Sequence, residues 1–455
     1  MMKTKTIILI LILTLSYCAK KEDKNYWWLL GLVNTGTNAT STTSTPTATP
    51  IPITYFTKLL ETGSGRAIYV DSSANTYIAG EATGAVTSSN TKTGTYDAYV
   101  AKYDSKGILQ WAKQYGVASN LTWANGVSAD SDGNVYVAGR TKGNLDGETL
   151  TGTEDAFLMK FDSAGNKQWT KLSGVASAVT QFNRGIYVDT TDNSIYVSGT
   201  TRGNLDGQTL TGVQDVVLIK YKSDGTKEWT KLYGKATGTV NAADMVKHGT
   251  NFYTVGEVNK GFDSNAQIGS YDASLIKIDS SGTKQWSRTL GVAGKITISI
   301  GVSTDSNENI YVTGYTLGDL DGNTLIGTDD AFLTKYDSSG NKQWTKLIGV
   351  AGKGTKAYTV GTDSSSNVYI SGQTCGDLNG VTRVGTCDVM VAKYDSSGTH
   401  IETKLNGVAT KTSISYDIYI DSRNALHLAG QTVSGYDGET VTGSSAILVS
   451  NKIFQ

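Results

Sequence analysis

The chain has 455 residues, with 40 Lys and Arg against 41 Asp and Glu and a formal net charge of −1. That balance supplies no reason to expect a clustered basic face, the electrostatic footprint of nucleic-acid binding, so nucleic acid is not an expected partner. With 52 glycines, 25 tyrosines and only 18% charged residues, the composition is that of a turn-rich all-β protein.

Lys3 and Lys5 open a basic segment, and Ile7–Leu15 is an apolar run too short to span a bilayer stably. It ends on Leu15-Ser16-Tyr17-Cys18, which resembles a lipobox, where signal peptidase cuts before a cysteine that becomes lipidated. Leu15 fits that pattern; Tyr17 stands where a small residue is usual, as in the looser lipoboxes of spirochaetes. Residues 1–17 are therefore expected to be a lipoprotein signal peptide and Cys18 the lipidated residue, giving a membrane anchor. An ordinary secretory signal with an incidental cysteine is the alternative. Residues 18–53 read as a tether. Tyr26–Val33 (YWWLLGLV) suits either a membrane interface or a loosely packed strand. The Thr/Ser-rich run after it holds all three prolines, Pro46, Pro50 and Pro52, and cannot bury enough apolar surface to fold.

From residue 54 the chain is repetitive. Asp330–Trp344 (DAFLTKYDSSGNKQW) is a strand, a tight turn and the start of a second strand. It recurs at Asp97–Trp111, Asp155–Trp169, Asp215–Trp229 and Asp272–Trp286, and from Asp388 with Glu402 in the tryptophan position. The period of roughly 58 residues is that of solenoids, propellers or arrays. Each repeat holds four strand-like runs, here a, b, c and d; in the sixth they are Ala357–Asp363, Asn367–Gly372, Asp388–Asp395 and Ile401–Leu405. Seven b runs end in glycine (Gly80, Gly139, Gly199, Gly256, Gly314, Gly372, Gly430) and seven c runs follow, but d follows only the first six. The seventh d is found at the other end, where Thr54–Leu60 aligns with Lys342–Ile348 and puts Phe56 in the tryptophan position. Such an offset serves a closed ring, in which the first strand completes the last sheet. The expected fold is an all-β, seven-bladed β-propeller of four-stranded blades over residues 54–455, closed by the N-terminal strand pairing into the last blade.

The GNVYVAG, DAFLxKYDSxG and QWTKLxG blocks resemble those of the SBBP family of β-propeller repeats. With the lipobox and the tether, the chain looks like an SBBP-repeat lipoprotein of the spirochaete type. That resemblance implies a propeller at the outer membrane or cell surface, and makes host extracellular matrix a plausible ligand.

Most constant positions read as structural. Phe56, Trp111, Trp169, Trp229, Trp286 and Trp344 are expected to wedge between blades, each with a large ring to bury. Lys102 and its equivalents in strand c are expected to snorkel, and Asp71 and its equivalents to serve turn hydrogen bonds. The Asp-Gly loops between b and c, such as Asp319–Asn323, faintly suggest calcium but lack the closing glutamate of an EF-hand loop, and a plain hairpin turn accounts for them. Cys375 and Cys387 flank one such loop at positions held elsewhere by Lys142 with Glu154 and Arg202 with Gln214, so a disulfide is expected in an exported protein.

No catalytic set is found. Three histidines, no clustered carboxylates and no G-x-S-x-G leave no metal or cofactor to assign. Variation between copies is concentrated just after the b-strand glycines, at Glu81, Arg140, Thr200, Glu257, Tyr315, Gln373 and Gln431, with Trp123 nearby. Glu81, Arg140, Glu257, Tyr315, Gln373 and Trp123 are the candidate binding residues, on a face carrying the b-to-c and d-to-a connections. The expectation is a monomeric, non-enzymatic, lipid-anchored surface protein that binds a protein or polysaccharide. A periplasmic scaffold, or a propeller enzyme of the hydrolase, lyase or quinoprotein-like kind, is the alternative.

Overall fold

Strands b and c are apolar on both sides, and this dictates how the chain packs. In blade 1, Thr76–Ala82 and Asp97–Tyr103 are buried almost throughout, whereas the outer strand Leu109–Tyr115 is half-exposed. A sheet with two apolar faces must be sandwiched between two others. The computed structural model describes residues 52–433, 435–440 and 446–451, so the expectations for the signal peptide, Cys18 and nearly all of the tether lie outside the described residues. Within Ile51–Gln455 the described residues form seven four-stranded antiparallel sheets, each ordered a-b-c-d. Each strand a also touches strand a of both neighbouring blades, blade 7 against blade 1 included, so the seven sheets shut into a ring. Seven apolar clusters fill the seven gaps between adjacent blades.

The last blade takes its strands a, b and c from Ser413–Ile420, Leu426–Thr432 and Ala446–Ser450, and its strand d from Thr57–Glu61. Thr57 pairs with Ser450 and Leu60 with Ile447 in an unbroken antiparallel register. Asn451 fastens the join: its side chain accepts from Phe56 N at 2.7 Å and donates to Thr54 O at 3.0 Å.

Aromatic wedges such as Trp111, Trp169 and Phe56 lie on the turn glycine of the next blade, whereas beside Trp286 it is Arg288 that covers Gly340. Trp111, on strand d of blade 1, donates Nε1–H to Ser163 O in the c–d turn of blade 2, at 3.2 Å. Its ring lies against Gly165 of that turn, where an added Cβ would come within 2.7 Å of the indole and where φ is +80°. Only glycine meets both demands. Trp169 repeats the bond to Ser223 O at 3.3 Å, and Phe56 lies in the same way over Gly107 of blade 1. The strand c lysines do more than snorkel. Lys160 passes over the Tyr136 ring at 5.3 Å and donates to Ser223 O at 3.0 Å, joining its blade to the next turn beside Trp169. The strand-a aspartates organise turns: Asp71 accepts from the Ser73 and Asn75 amides at 2.9 and 2.8 Å and from the Tyr77 hydroxyl at 3.0 Å.

Phe56 is 6% exposed at the join that shuts the ring. Phe56→Ala is expected to lower the unfolding free energy by about 3–5 kcal/mol, while Phe56→Trp, the residue of the equivalent position, stays near wild type. Denaturant unfolding of both variants checks this.

Candidate functional site

The b-strand glycines mark where the functional surface is made. An added Cβ at Gly80 would meet Ser64 O at 1.9 Å, at Gly139 Trp123 O at 2.0 Å, and at Gly430 Ile414 O at 2.0 Å. The facing strand a comes this close because it bulges there. The register slips around Arg66 in blade 1, Asn125 in blade 2, Asn183–Gly185 in blade 3, Ile300 in blade 5, Tyr358 in blade 6 and Tyr416 in blade 7. In blade 4 the ladder is interrupted at Ala243, just before the strand Asp244–His248. Each bulge turns a residue out of the pleat and toward the axis. Arg66, Asn125, Asn183, Ala243, Ile300, Tyr358 and Tyr416 together line a cavity of about 380 Å³ on the axis, a funnel with Gln181, Asn241 and Glu257 at its sides. The b-to-c and d-to-a connections run side by side at this end, joined by parallel bridges such as Tyr96 to Leu121 and Glu154 to Val179.

Arg184 forms the floor. Strand a of blade 3, Thr180–Val188, has nine residues where strands a of blades 1, 2, 5, 6 and 7 have eight, and Arg184 falls in its wider bulge. Its guanidinium reaches across the ring to main-chain carbonyls of three other blades. It donates to Ile300 O at 2.6 Å, to Tyr358 O at 2.5 Å and to Tyr416 O. Arg184 also lines the cavity on the far side of the axis, together with Asp244 and Asp417, so it separates the two. Asp417 accepts from Ile68 N of blade 1 and Thr359 Oγ1 of blade 6, each at 3.0 Å. Desolvation in the channel outweighs the nearby Arg184 and pushes Asp417 up to about 6; Asp244 is shifted up for the same reason.

The sequence-derived candidates stand around the funnel's rim. Glu81 is bound bidentately by Arg66, whose guanidinium also lies 4.3 Å from the centre of the Tyr416 ring. Arg140 stacks on Trp123 at 4.0 Å and donates to Glu154 and to Gln181. Glu257 accepts from Asn241, and burial pushes its carboxyl up. Tyr315 lies under the Lys356 ammonium at 4.5 Å, and Gln373 is paired in register with Lys356. Thus Glu81, Arg140 and Trp123 are brought together with Arg66 and Asn125 around one hollow, and Glu257 reaches the funnel itself. Tyr315 and Gln373 lie farther round the ring. The bulge residues, which do most of the lining, were missed from the sequence. The signal was present in the constant b-strand glycine, which marks a close approach by the facing strand, and in the extra residue of blade 3.

The remaining site expectations are placed plainly. Cys375 and Cys387 form a disulfide, and the equivalent pairs Lys142–Glu154 and Arg202–Gln214 are 3.8 and 2.8 Å apart. In the loops weighed for calcium the carboxylates are engaged by protein: Asp321 by Lys342 and Thr345, Asp319 by the Leu325 amide.

Two predictions follow from the axial geometry. Arg184→Ala leaves three carbonyls without their donor and two carboxyls without a counter-charge, and is expected to destabilise by about 3–5 kcal/mol in denaturant unfolding. The second concerns pH. A carboxyl raised from 3.8 to about 6 holds its proton more tightly in the folded chain than in the unfolded one. Its contribution to stability is therefore present at low pH and is lost as pH rises through that interval. The melting temperature of Asp417→Asn is expected to fall less than that of the wild type between pH 4 and about 6.

Comparison with known proteins agrees with the geometry. The β-propeller repeat SBBP matches residues 110–146, 285–321 and 343–379, each span running from strand d of one blade through strands a and b of the next. The regulatory protein FlaEY of Caulobacter vibrioides is 25% identical over 411 residues, which is 78% of this chain and 41% of that protein. An uncharacterised WD repeat-containing protein of Acanthamoeba polyphaga mimivirus is 24% identical over 362 residues, 60% of this chain and 26% of the other. The chain thus spans less than half the length of either relative. Among solved structures, an ulvan lyase described as founding a new family of polysaccharide lyase superposes with a TM-score of 0.50 at 11% identity, covering 83% of this chain and 92% of its own. The polysaccharide lyase Uly1 does so with the same score and identity, covering 85% and 90%. These neighbours correct one expectation: that the chain is not an enzyme no longer stands, because propellers of this architecture carry lyase chemistry. At 11% identity the likeness concerns the fold and assigns no reaction to this chain. The chain is a seven-bladed β-propeller that carries SBBP β-propeller repeats in three places.

Proposed function

We propose that this chain is a lipid-anchored envelope protein, displayed at the cell surface, whose connection-rich face binds a macromolecular partner. A contrast between its own copies carries the reading. The wedge, turn and glycine positions repeat nearly unchanged around the ring. The bulge positions and the b-strand ends change from blade to blade: Arg66, Asn125, Asn183, Ala243, Ile300, Tyr358 and Tyr416 occupy one equivalent place. Stability alone does not call for such variety, whereas varied polar and aromatic groups on a rigid support suit recognition. Trp123 under Arg140 is the rim element best suited to anchor a partner, since both residue types are enriched among binding hot spots. The Leu15–Cys18 motif and the tether after it supply the anchor in this reading.

Two measurements test it. Protease treatment of intact cells is expected to remove the protein, and retention would assign it to the periplasm instead. Binding of the full-length protein to immobilised extracellular matrix is expected to weaken at least tenfold in the variant Trp123→Ala, with the fold retained by circular dichroism. Equal binding by the variant and the wild type would overturn the assignment of this face.

A further inference from the structure

We infer that the axial funnel is a binding site for a neutral saccharide unit. The inference deepens, and rests on, the reading of the connection-rich face as a binding surface. It stands on the way the two sides of the funnel differ. In a seven-membered ring, blade 3 lies opposite the boundary between blades 6 and 7, and Arg184 spans that diameter.

The wall made by blades 2 to 4 is an acceptor wall. Asn125 donates Nδ2–H to Phe182 O at 2.8 Å, and Asn183 donates Nδ2–H to Ala242 O. A main-chain carbonyl can only accept, so in both residues the nitrogen must face the strand, which leaves the amide oxygen and the second N–H of each amide over. Neither oxygen has a partner among the described residues, and both residues line the cavity. Asn241, on the next blade, extends the row. The opposite wall is aromatic: Tyr358 and Tyr416, from blades 6 and 7, have ring centroids 5.9 Å apart. A pyranose ring has the matching character, with hydroxyl donors around its edge and an apolar C–H face that lies on aromatic rings.

Charge selects among ligands of this shape. Every arginine of the funnel and its rim is already engaged: Arg66 by Glu81, Arg140 by Glu154, and Arg184 by three carbonyls. Among the described residues that line the funnel, a polyanion such as a uronate chain finds no uncommitted cation. A cationic side chain, which would also suit acceptors and tyrosine rings, would meet the guanidinium of Arg184 on the floor and that of Arg66 at the side, while the lining carboxyl, Glu257, already accepts from Asn241 and is shifted by burial toward its neutral form. A neutral, hydroxyl-rich ligand meets neither obstacle.

The test is calorimetry on the full-length protein in detergent, titrated with neutral glucose, galactose and mannose oligosaccharides, with an oligogalacturonate and with a lysine-rich peptide. At least one neutral oligosaccharide is expected to bind. Tyr358→Ala is expected to weaken that binding tenfold or more, and Ile401→Ala, on the outer edge of blade 6, serves as the control. Should Tyr358→Ala fail to fold, Tyr358→Leu keeps a bulky side chain without the ring. Binding by no neutral sugar, tighter binding of the oligogalacturonate or the peptide, or indifference to Tyr358 substitution would each overturn the inference. A matrix partner lost on rim substitution but undisturbed by any sugar would leave the binding face standing and remove the saccharide. Sugar binding that depends on Tyr358, beside matrix binding indifferent to the rim, would do the reverse.

Discussion

A sheet with two apolar faces has no side it can turn to water, and the architecture of this protein follows from that. Each blade is held by its neighbours through a shared apolar cluster, and each cluster is made from two blades, so no blade is complete alone. The contact is directional as well as hydrophobic. A tryptophan and a lysine from one blade reach the same turn carbonyl of the next, and the glycine beside it lets the ring lie flat. An open row of such blades would leave two apolar faces bare. Closure through Thr57–Glu61 removes both, and Phe56 supplies the wedge at the joint.

The ring also creates a problem at its centre, where seven strands converge. Each strand a bulges at the level of the b-strand glycine, and the bulge turns a side chain out of the ladder. These side chains lie outside the apolar clusters between blades and touch one another or the next blade around the axis, and they differ from copy to copy. Blade 3 goes further: one additional residue places Arg184 across the axis, where it answers carbonyls from three other blades. That guanidinium ties the far sides of the ring together and divides the axial space into two cavities. Asp244 and Asp417 lie beyond it, and their raised affinity for protons reflects how far that space is removed from bulk water.

The electrostatics of the connection-rich face are local. Arg66 with Glu81 and Arg140 with Glu154 are closed pairs, each guanidinium also resting on an aromatic ring. Such pairs position rings and amides rather than projecting charge, in keeping with a chain whose net charge is near zero. The funnel lining is mostly neutral, and its carboxyl, Glu257, accepts from Asn241. The likeness to distant lyases concerns the fold alone, so the chemistry of the funnel must be judged from its own side chains.

The repeat period, the seven b-strand glycines and the displaced strand d determined the number of blades and the way the ring shuts, because those features are written in chain order. The wedge role of the tryptophans was legible too, since a residue recurring in most copies within one chain marks a contact made again from blade to blade. Neighbourhoods across the ring were not legible. Arg184 and Tyr416 are 232 residues apart, and no periodicity in the sequence announces that one will close the channel against the other's carbonyl. The positions of the rim residues could be read along the chain because they follow the glycines directly. The funnel lining was missed because it belongs to the facing strand, and only pairing of the strands reveals which residue a bulge will turn toward the axis.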